Sequence, residues 1–293
     1  MPRAELTLIA NVALDRVNRG PWTSGGCPTF APYAFAHLDA LGVINTACAD
    51  ADVPMFRALD ANGSVAVHFE PAAATTRFDL DYSGEFGESR SMVVHSIGHA
   101  WSAADIDRLR IDTEWVHLAP LLRSDFSVAA VAHLTSRGHR VAYDGQGLVR
   151  VPVVGELTLD ARYDPELLRH LTVLKVSEDE IDVLGHLEDE IDVLGGEQGR
   201  EAALDALSGI PELLLTHGFR GAEVRTGGLR SHVTPDRAIP DVQTTGAGDT
   251  FMIAYLVGRN RDLDPVDAAS LGANVSAAML AERKQRQGSG KPG

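Results

Sequence analysis

The sequence predicts an α/β protein built on a mainly parallel sheet. Three observations carry that expectation. Strand-like and helix-like segments alternate along most of the chain. Its 293 residues, 44% of them apolar, suffice for a sizeable core in one large α/β domain or two small ones. Residues 244–251, Thr-Thr-Gly-Ala-Gly-Asp-Thr-Phe, set two glycines and an aspartate directly before an apolar helical run.

Residues 6–10 read as the first strand. Residues 31–41 place Ala34, Phe35, Leu38 and Leu41 on one helical face and stop at Gly42. A second strand follows at 43–48, then a short helix at 53–59 that ends near Asn62 and Gly63. Residues 65–97 differ. Three short extended runs (65–69, 75–80 and 91–94), with Gly84 and Gly87 in a turn, are β structure inserted between α/β units. They read either as a lid or as an extension of the sheet edge. Alternation resumes with strands at 115–118, 140–143, 173–176 and 212–216, and helices at 127–135, 165–170 and 200–207. Two helices at 246–257 and 265–281 close the fold, and residues 288–293 are expected to be a flexible tail.

One segment repeats. Residues 178–185, Glu-Asp-Glu-Ile-Asp-Val-Leu-Gly, recur at 188–195. A ten-residue shift turns an ideal helix by about 1000°, leaving the second copy rotated by about 80°. One helix therefore cannot present both copies to the same surface. A tandem duplication lengthening a surface helix is the expected reading.

Charge and cysteine content exclude several classes. Lys plus Arg is 26 against 41 Asp plus Glu, a net charge of −15, which opposes non-specific nucleic-acid binding and an anionic membrane surface. No apolar run approaches the ~20 residues of a membrane span, and residues 1–10 lack the layout of a signal peptide. Two cysteines, Cys27 and Cys48, make no disulfide framework, so a reducing cytoplasm is expected. Cys27 reads as a small packing residue. His95 and His99 are four apart, but Gly98 between them and the missing third ligand oppose a zinc site.

The chemistry concentrates in residues 244–251. Gly246, Ala247 and Gly248 lie where backbone N–H groups at the start of a helix face an anion. Such a nest is expected to hold the Asp249 side chain ionised. A carboxylate beside an anion hole is well suited to take a proton from a hydroxyl while the hole holds the phosphoryl group that the hydroxyl attacks.

This stretch resembles the C-terminal signature of the ribokinase/PfkB family of sugar, cyclitol and nucleoside kinases. Supporting motifs follow in order along nearly the whole chain. Gly25-Gly26, with Phe30-Ala31 and a helix ending at Leu41-Gly42, is similar to the family's substrate-binding glycine pair. Phe30 replaces the usual asparagine, as in the inositol-kinase-like subgroup. Asp144-Gly145-Gln146-Gly147 with Arg150, and Val116-His117-Leu118-Ala119-Pro120, also resemble that subgroup. Thr216-His217-Gly218-Phe219-Arg220-Gly221 is similar to the family's Thr-x-Gly-x-x-Gly nucleotide loop.

The resemblance implies a single three-layer αβα domain over residues 1–287, with a small β-sheet lid from about 12–24 and 66–97. It implies a kinase that moves the γ-phosphoryl group of ATP, with Mg²⁺, to a hydroxyl of a cyclitol or sugar. Nucleoside is the alternative acceptor, and dimerisation through the lid is expected. Asp249 is the implied base, and the amides of Gly246, Ala247 and Gly248 the anion hole. Asn11, Asp15, Gly25, Gly26, Phe30, Arg77 and Asp144 are implied on the substrate side, with Arg90 beside Arg77 in the lid. Lys175, Thr216, Gly218, Gly221 and Asn274 are implied on the nucleotide side. The family's Asn-x-x-Glu metal element reads Ser177-Glu178-Asp179-Glu180 here, so Glu180 is the metal candidate, acting through water, with Glu190 of the duplicated copy as its rival. Gln243 replaces a common aspartate, with no expected loss of catalysis.

Two other classes remain. One is a sugar- or nucleoside-binding protein on the same scaffold, without chemistry. The other is a dinucleotide-binding enzyme, opposed by the missing Gly-x-Gly-x-x-Gly turn after the first strand.

Overall fold

The computed structural model describes residues 3–83, 89–186, 196–240 and 242–288. The second copy of the repeat, with Glu190, lies outside the described residues, as do Gly84, Gly87 and the Arg90 side chain. The strands are β1 (Leu6–Ile9), β2 (Ala13–Val17), β3 (Trp22–Gly25), β4 (Gly42–Cys48), β5 (Val65–Pro71), β6 (Thr76–Ser83), β7 (Ser89–Ser96), β8 (Trp115–Leu118), β9 (Arg140–Asp144), β10 (Gly155–Glu156), β11 (Val173–Ser177), β12 (Glu212–Thr216), β13 (Ala222–Thr226) and β14 (Leu229–Val233). The helices are α1 (Cys27–His37), α2 (Ala103–Arg108), α3 (Val128–Ser136), α4 (Gln146–Val149), α5 (Glu178–Leu184), α6 (Glu197–Ala206), α7 (Ala247–Asn260) and α8 (Pro265–Gly288). Asp50–Asp60 and Pro165–His170, expected as helices, are 3₁₀ turns, each with a proline inside or at its start.

Nine strands form the central sheet in the order β14-β13-β12-β11-β9-β8-β1-β4-β5. From β12 to β5 all pairings are parallel, and β13 and β14 add an antiparallel hairpin at one edge. The hairpin is not evident in the sequence because its exposed residues (Arg230, His232) break the apolar pattern of a buried strand. Side chains alternate across the sheet, as strand geometry requires. Leu6, Leu8, Trp115 and Val173 pack toward α1, α7 and α8, whereas Ile9, Val116, Val141 and Leu174 pack toward α3, α5 and α6. The result is the expected three layers.

A second sheet of five strands runs β10-β7-β6-β2-β3. The expected lid boundary shifts here. Residues 65–71 are not part of this sheet: β5 pairs with β4 in parallel from Val65↔Gly42 to Pro71↔Cys48. Its alternating burial is that of an edge strand, and such a run reads like a lid strand in sequence. The small sheet therefore takes β6 and β7 from the inserted segment and recruits β2 and β3 from beside the first strand. Its inward face carries Phe78, Leu80, Met92 and Val94, which pack with Leu121 and Leu122 of the body.

Candidate active site

A cleft of about 910 Å³ opens at the C-terminal ends of the parallel strands, under the small sheet. This is where ligands settle in open α/β sheets, because strand ends and helix starts converge there. Asp249 stands on its wall with Gly246, Ala247 and Gly248, between two arms.

One arm is bounded by Asp15, Gly26, Cys27 and Phe30 on the body and by Phe78, Leu80 and Tyr82 of β6. Register explains the selection. Asp15 pairs with Phe78 across β2 and β6, so both share the inward face. Gly25 and Gly26 divide their work. Gly26 has φ 79° and lines the cleft, whereas a Cβ on Gly25 would overlap the Asp15 carboxylate. Gly25 thus makes room for Asp15 and does not line the cleft itself.

The other arm is formed by Thr216, Gly218 and Gly221 at the end of β12, and by an apolar slot of Phe219, Pro235, Ile239, Ala273, Ala277 and Leu280. Gly218 and Gly221 have φ of 59° and 100°, and a side chain on Gly221 would overlap the Val233 carbonyl. Only glycine holds that turn without strain.

The start of α7 departs from expectation in one detail. The Ala247 N–H closes a turn on Thr244 O (2.9 Å) and is not free to face an anion. Among the described residues, the amides of Gly246, Gly248 and Asp249 make no backbone hydrogen bond, so these three are the open donors. Gly246 has φ 81°, and a Cβ there would overlap the Phe30 ring. Phe30 and Gly246 are therefore fitted to each other.

Below this loop lies a buried charged group. His117, Asp144 and Lys175 are all less than 5% exposed. They occupy the face of β8, β9 and β11 that is turned toward α7, by the same alternation that places Trp115, Ala142 and Val173 there. Lys175 lies opposite Asp144 in register, with Nζ 3.2 Å from Oδ1; His117 Nε2 is 3.4 Å from the same oxygen. Burial works against the Asp144 carboxylate, but Lys175 and then His117 outweigh it and hold its pKa below the ordinary value. Burial likewise works against the Lys175 ammonium, yet Asp144, Glu180 and Asp249 carry its pKa above the ordinary value. The site thus keeps a fixed positive charge, and a Cβ built on Gly248 would be 3.1 Å from Nζ.

Asp249 moves the other way. Loss of solvent raises its pKa; Lys175 pulls it down, and Asp144 adds to the rise. The nest was expected to favour ionisation, but desolvation prevails. A raised carboxylate is a better proton acceptor once ionised. Cys27 is buried beside it. Burial, then the Asp249 and Asp144 charges, push the thiol well above its ordinary pKa, so it serves as a neutral wall.

Glu180 reaches the cleft from the first turn of α5. Its Oε2 accepts from Ser177 N (2.9 Å), and Ser177 Oγ accepts from Glu180 N (3.2 Å), a reciprocal cap. Burial raises its pKa despite Lys175. Among the described residues no group of three or more His, Cys, Asp or Glu is arranged to hold a metal. Glu180, with Glu178 and Asp179 beside it on the cleft wall, fits Mg²⁺, which takes one or two carboxylates and draws its other oxygens from phosphates and water.

Besides Gly25, four expected contacts are placed elsewhere. Asn11 is fully buried: its amide donates to His99 O (2.7 Å) and accepts from Trp101 Nε1 (3.0 Å), which occupies both ends. Arg77 precedes the inward Phe78 and so points outward, making two 3.0 Å bonds to Asp52 and lying over the Trp22 ring. Asp144 supports Lys175 from beneath the cleft and does not line it. Asn274 accepts from Asp236 N (2.7 Å), while its neighbours Ala273 and Ala277 line the slot. His117 and Arg150 stand in the motifs that resemble the inositol-kinase-like subgroup, although no role was expected of either, and Tyr82 was not expected as a site residue.

The fold matches solved structures over nearly its whole length. A pyrophosphate-dependent kinase of the ribokinase family, complexed with a pyrophosphate analog and myo-inositol, aligns at a TM-score of 0.78 and 22% identity, covering 94% of this chain and 95% of that one. Fructokinase from Vibrio cholerae O395, with fructose, ADP and calcium ion, aligns at 0.69 and 20%, covering 94% and 92%. A nucleoside kinase from Burkholderia thailandensis in complex with inosine aligns at 0.68 and 19%, covering 94% and 90%. No curated protein sequence matches the chain. The profile of the pfkB family carbohydrate kinases matches residues 141–290, half of the chain and the half that holds Asp144, Lys175 and residues 244–251. The chain therefore belongs to the PfkB carbohydrate kinase family, phosphotransferases that act on hydroxyl groups.

Proposed function

We propose that the protein transfers the γ-phosphoryl group of ATP to a hydroxyl of a cyclitol or sugar. The supporting observation is the position of Asp249, at the junction of an arm under the small sheet and an arm ending in an apolar slot. An acceptor in the first arm presents its hydroxyl to the Asp249 carboxylate, which takes the proton as the oxygen attacks. The open amides of Gly246, Gly248 and Asp249, with the Lys175 ammonium behind Gly248, stabilise charge on the phosphoryl group in transit. Asp15 accepts hydrogen bonds from acceptor hydroxyls. Glu180 would hold Mg²⁺ through water, and the ion would supply positive charge against the donor phosphates.

The apolar slot supports a nucleotide donor. A nucleobase is buried favourably against Phe219, Ile239, Ala273, Ala277 and Leu280, whereas pyrophosphate has no apolar part to place there. The distinction matters because a solved relative of this fold uses pyrophosphate. A nucleoside acceptor is the second reading, favoured by the apolar wall of Phe30, Phe78, Leu80 and Met92 in the first arm.

The test is product formation across a panel of inositols, sugars and nucleosides, with ATP and pyrophosphate each offered as donor. Turnover of a cyclitol or sugar with ATP is expected. Turnover with pyrophosphate alone overturns the donor assignment, and preference for nucleosides selects the second reading. Ligand-induced stabilisation without turnover identifies a binding protein.

A further inference from the structure

The loop before α7 is gripped from α8 by a cation. Arg283 is half-buried, and its Nη1 donates to two backbone carbonyls at once: Gln243 O at 2.6 Å and Thr245 O at 2.8 Å. The neighbouring Lys284 Nζ donates to Pro240 O (2.8 Å), and Ile239 and Val242 pack on Met279 and Leu280. The approach to the anion hole thus lies along the last turns of α8. The lysine and arginine contacts differ in kind. Lys284 is exposed and holds the start of the loop. Arg283 holds the carbonyls on either side of Thr244, whose own oxygen accepts the Ala247 N–H.

Two carbonyl oxygens converging on one point set the negative ends of two peptide dipoles against each other, and a cation between them removes the conflict. Guanidinium suits the place because it is weakly hydrated and tolerates partial burial. Burial lowers the Arg283 pKa, but an arginine starts so high that it keeps its charge.

We propose that Arg283 is the positioning residue of the anion hole. Its guanidinium pins the Gln243 and Thr245 carbonyls, which fixes the peptide planes leading into the amides of Gly246, Gly248 and Asp249. Its charge also offsets those carbonyls beside the phosphoryl group. The catalytic consequence rests on the kinase reading; the structural one does not. Without the cation the two carbonyls turn apart and the amides lose their common aim. That loss falls on the transition state more than on donor binding.

Two measurements on the full chain test this. Hydrogen exchange is read at Ala247 and Thr250, whose amides are bonded across the turn to Thr244 O and Gly246 O. Arg283→Ala is expected to speed exchange there about tenfold, with β1 and β8 unchanged, and guanidinium chloride far below denaturing concentrations is expected to restore it. In steady-state kinetics, kcat is expected to fall about 10- to 100-fold with donor KM within twofold, to recover in part with Arg283→Lys, and to respond to guanidinium. Lys284→Ala is expected to leave kcat within about twofold, since its bond is exposed. Unchanged exchange in Arg283→Ala overturns the proposal whether or not the wild type turns over. Faster exchange with unchanged kcat overturns it too, as does an equal loss of kcat in Lys284→Ala. A wild type inactive with every donor and acceptor overturns the kinase reading instead, and the exchange arm still decides the role of Arg283.

Discussion

The Tyr82 hydroxyl of the small sheet stands 2.9 Å from the Thr245 hydroxyl, one residue before Gly246. The small sheet and the glycine loop before α7 are thereby joined across the mouth of the cleft. Tyr82→Phe removes this bond and keeps the ring. A bond of this kind contributes about 1 kcal/mol, so acceptor KM is expected to rise about threefold to tenfold. Donor affinity, measured by calorimetry with ADP, is expected to stay the same. An acceptor KM within experimental error of wild type excludes a latch at this bond.

Asp249→Asn tests the base. The amide keeps the shape but cannot take a proton. Phosphoryl transfer is expected to fall by about 10²- to 10⁴-fold while ADP still binds. The wild-type rate is expected to rise with pH through a carboxylate pKa above 3.8, because Asp249 acts ionised and its pKa is raised. Loss of that limb in a variant with residual activity checks the assignment; a variant of near-normal rate excludes it.

Asp144→Ala strands the Lys175 ammonium in the core. Breaking a buried pair in this way costs about 3–5 kcal/mol, to be read by denaturant unfolding. The double variant Asp144→Asn with Lys175→Met removes both charges and is expected to regain most of that stability. It is not expected to regain transfer activity, because the charge behind Gly248 is gone. Recovery of both would make the pair purely structural.

Asp125 supplies a pH dependence of stability. It is 1% exposed; its Oδ2 accepts from Leu121 N (2.9 Å), and Asn11, Arg150 and Tyr143 surround it. Burial outweighs the bonds to the Leu121 and Leu122 amides and raises its pKa to about 7, from an ordinary 3.8. The folded state therefore binds the proton more tightly than the unfolded one. The contribution of Asp125 is full below about pH 4 and is lost as pH rises toward 7, by up to about 1.4 kcal/mol per pH unit. Asp125→Asn keeps an acceptor for Leu121 and is expected to flatten the fall in Tm between about pH 4 and 7. An unchanged profile assigns that fall to other groups.

Much of this was legible in the chain. The buried parallel strands showed because Leu6, Val116, Val173 and Leu214 sit in short apolar runs between turn residues. The Gly246–Asp249 arrangement showed because close backbone approach to an anion admits few residue types. Tyr82 and Arg283 did not show. Their partners Thr245 and Gln243 are 163 and 40 residues away, and nothing in either local pattern marks them.

Local chemistry along the sequence determined the layered fold, the helix that starts at the glycine loop and the place of Asp249 in its first turn, since all three depend on neighbours a few residues apart. Tertiary structure alone decided which polar groups face the cleft. Strand register turned Asp15 inward and Arg77 outward, burial drew Asn11 and Asp144 into the core, and a turn on Thr244 withdrew the Ala247 amide. The physical reason is that a side chain's direction and solvation are set by what packs against it, and those contacts come from distant parts of the chain.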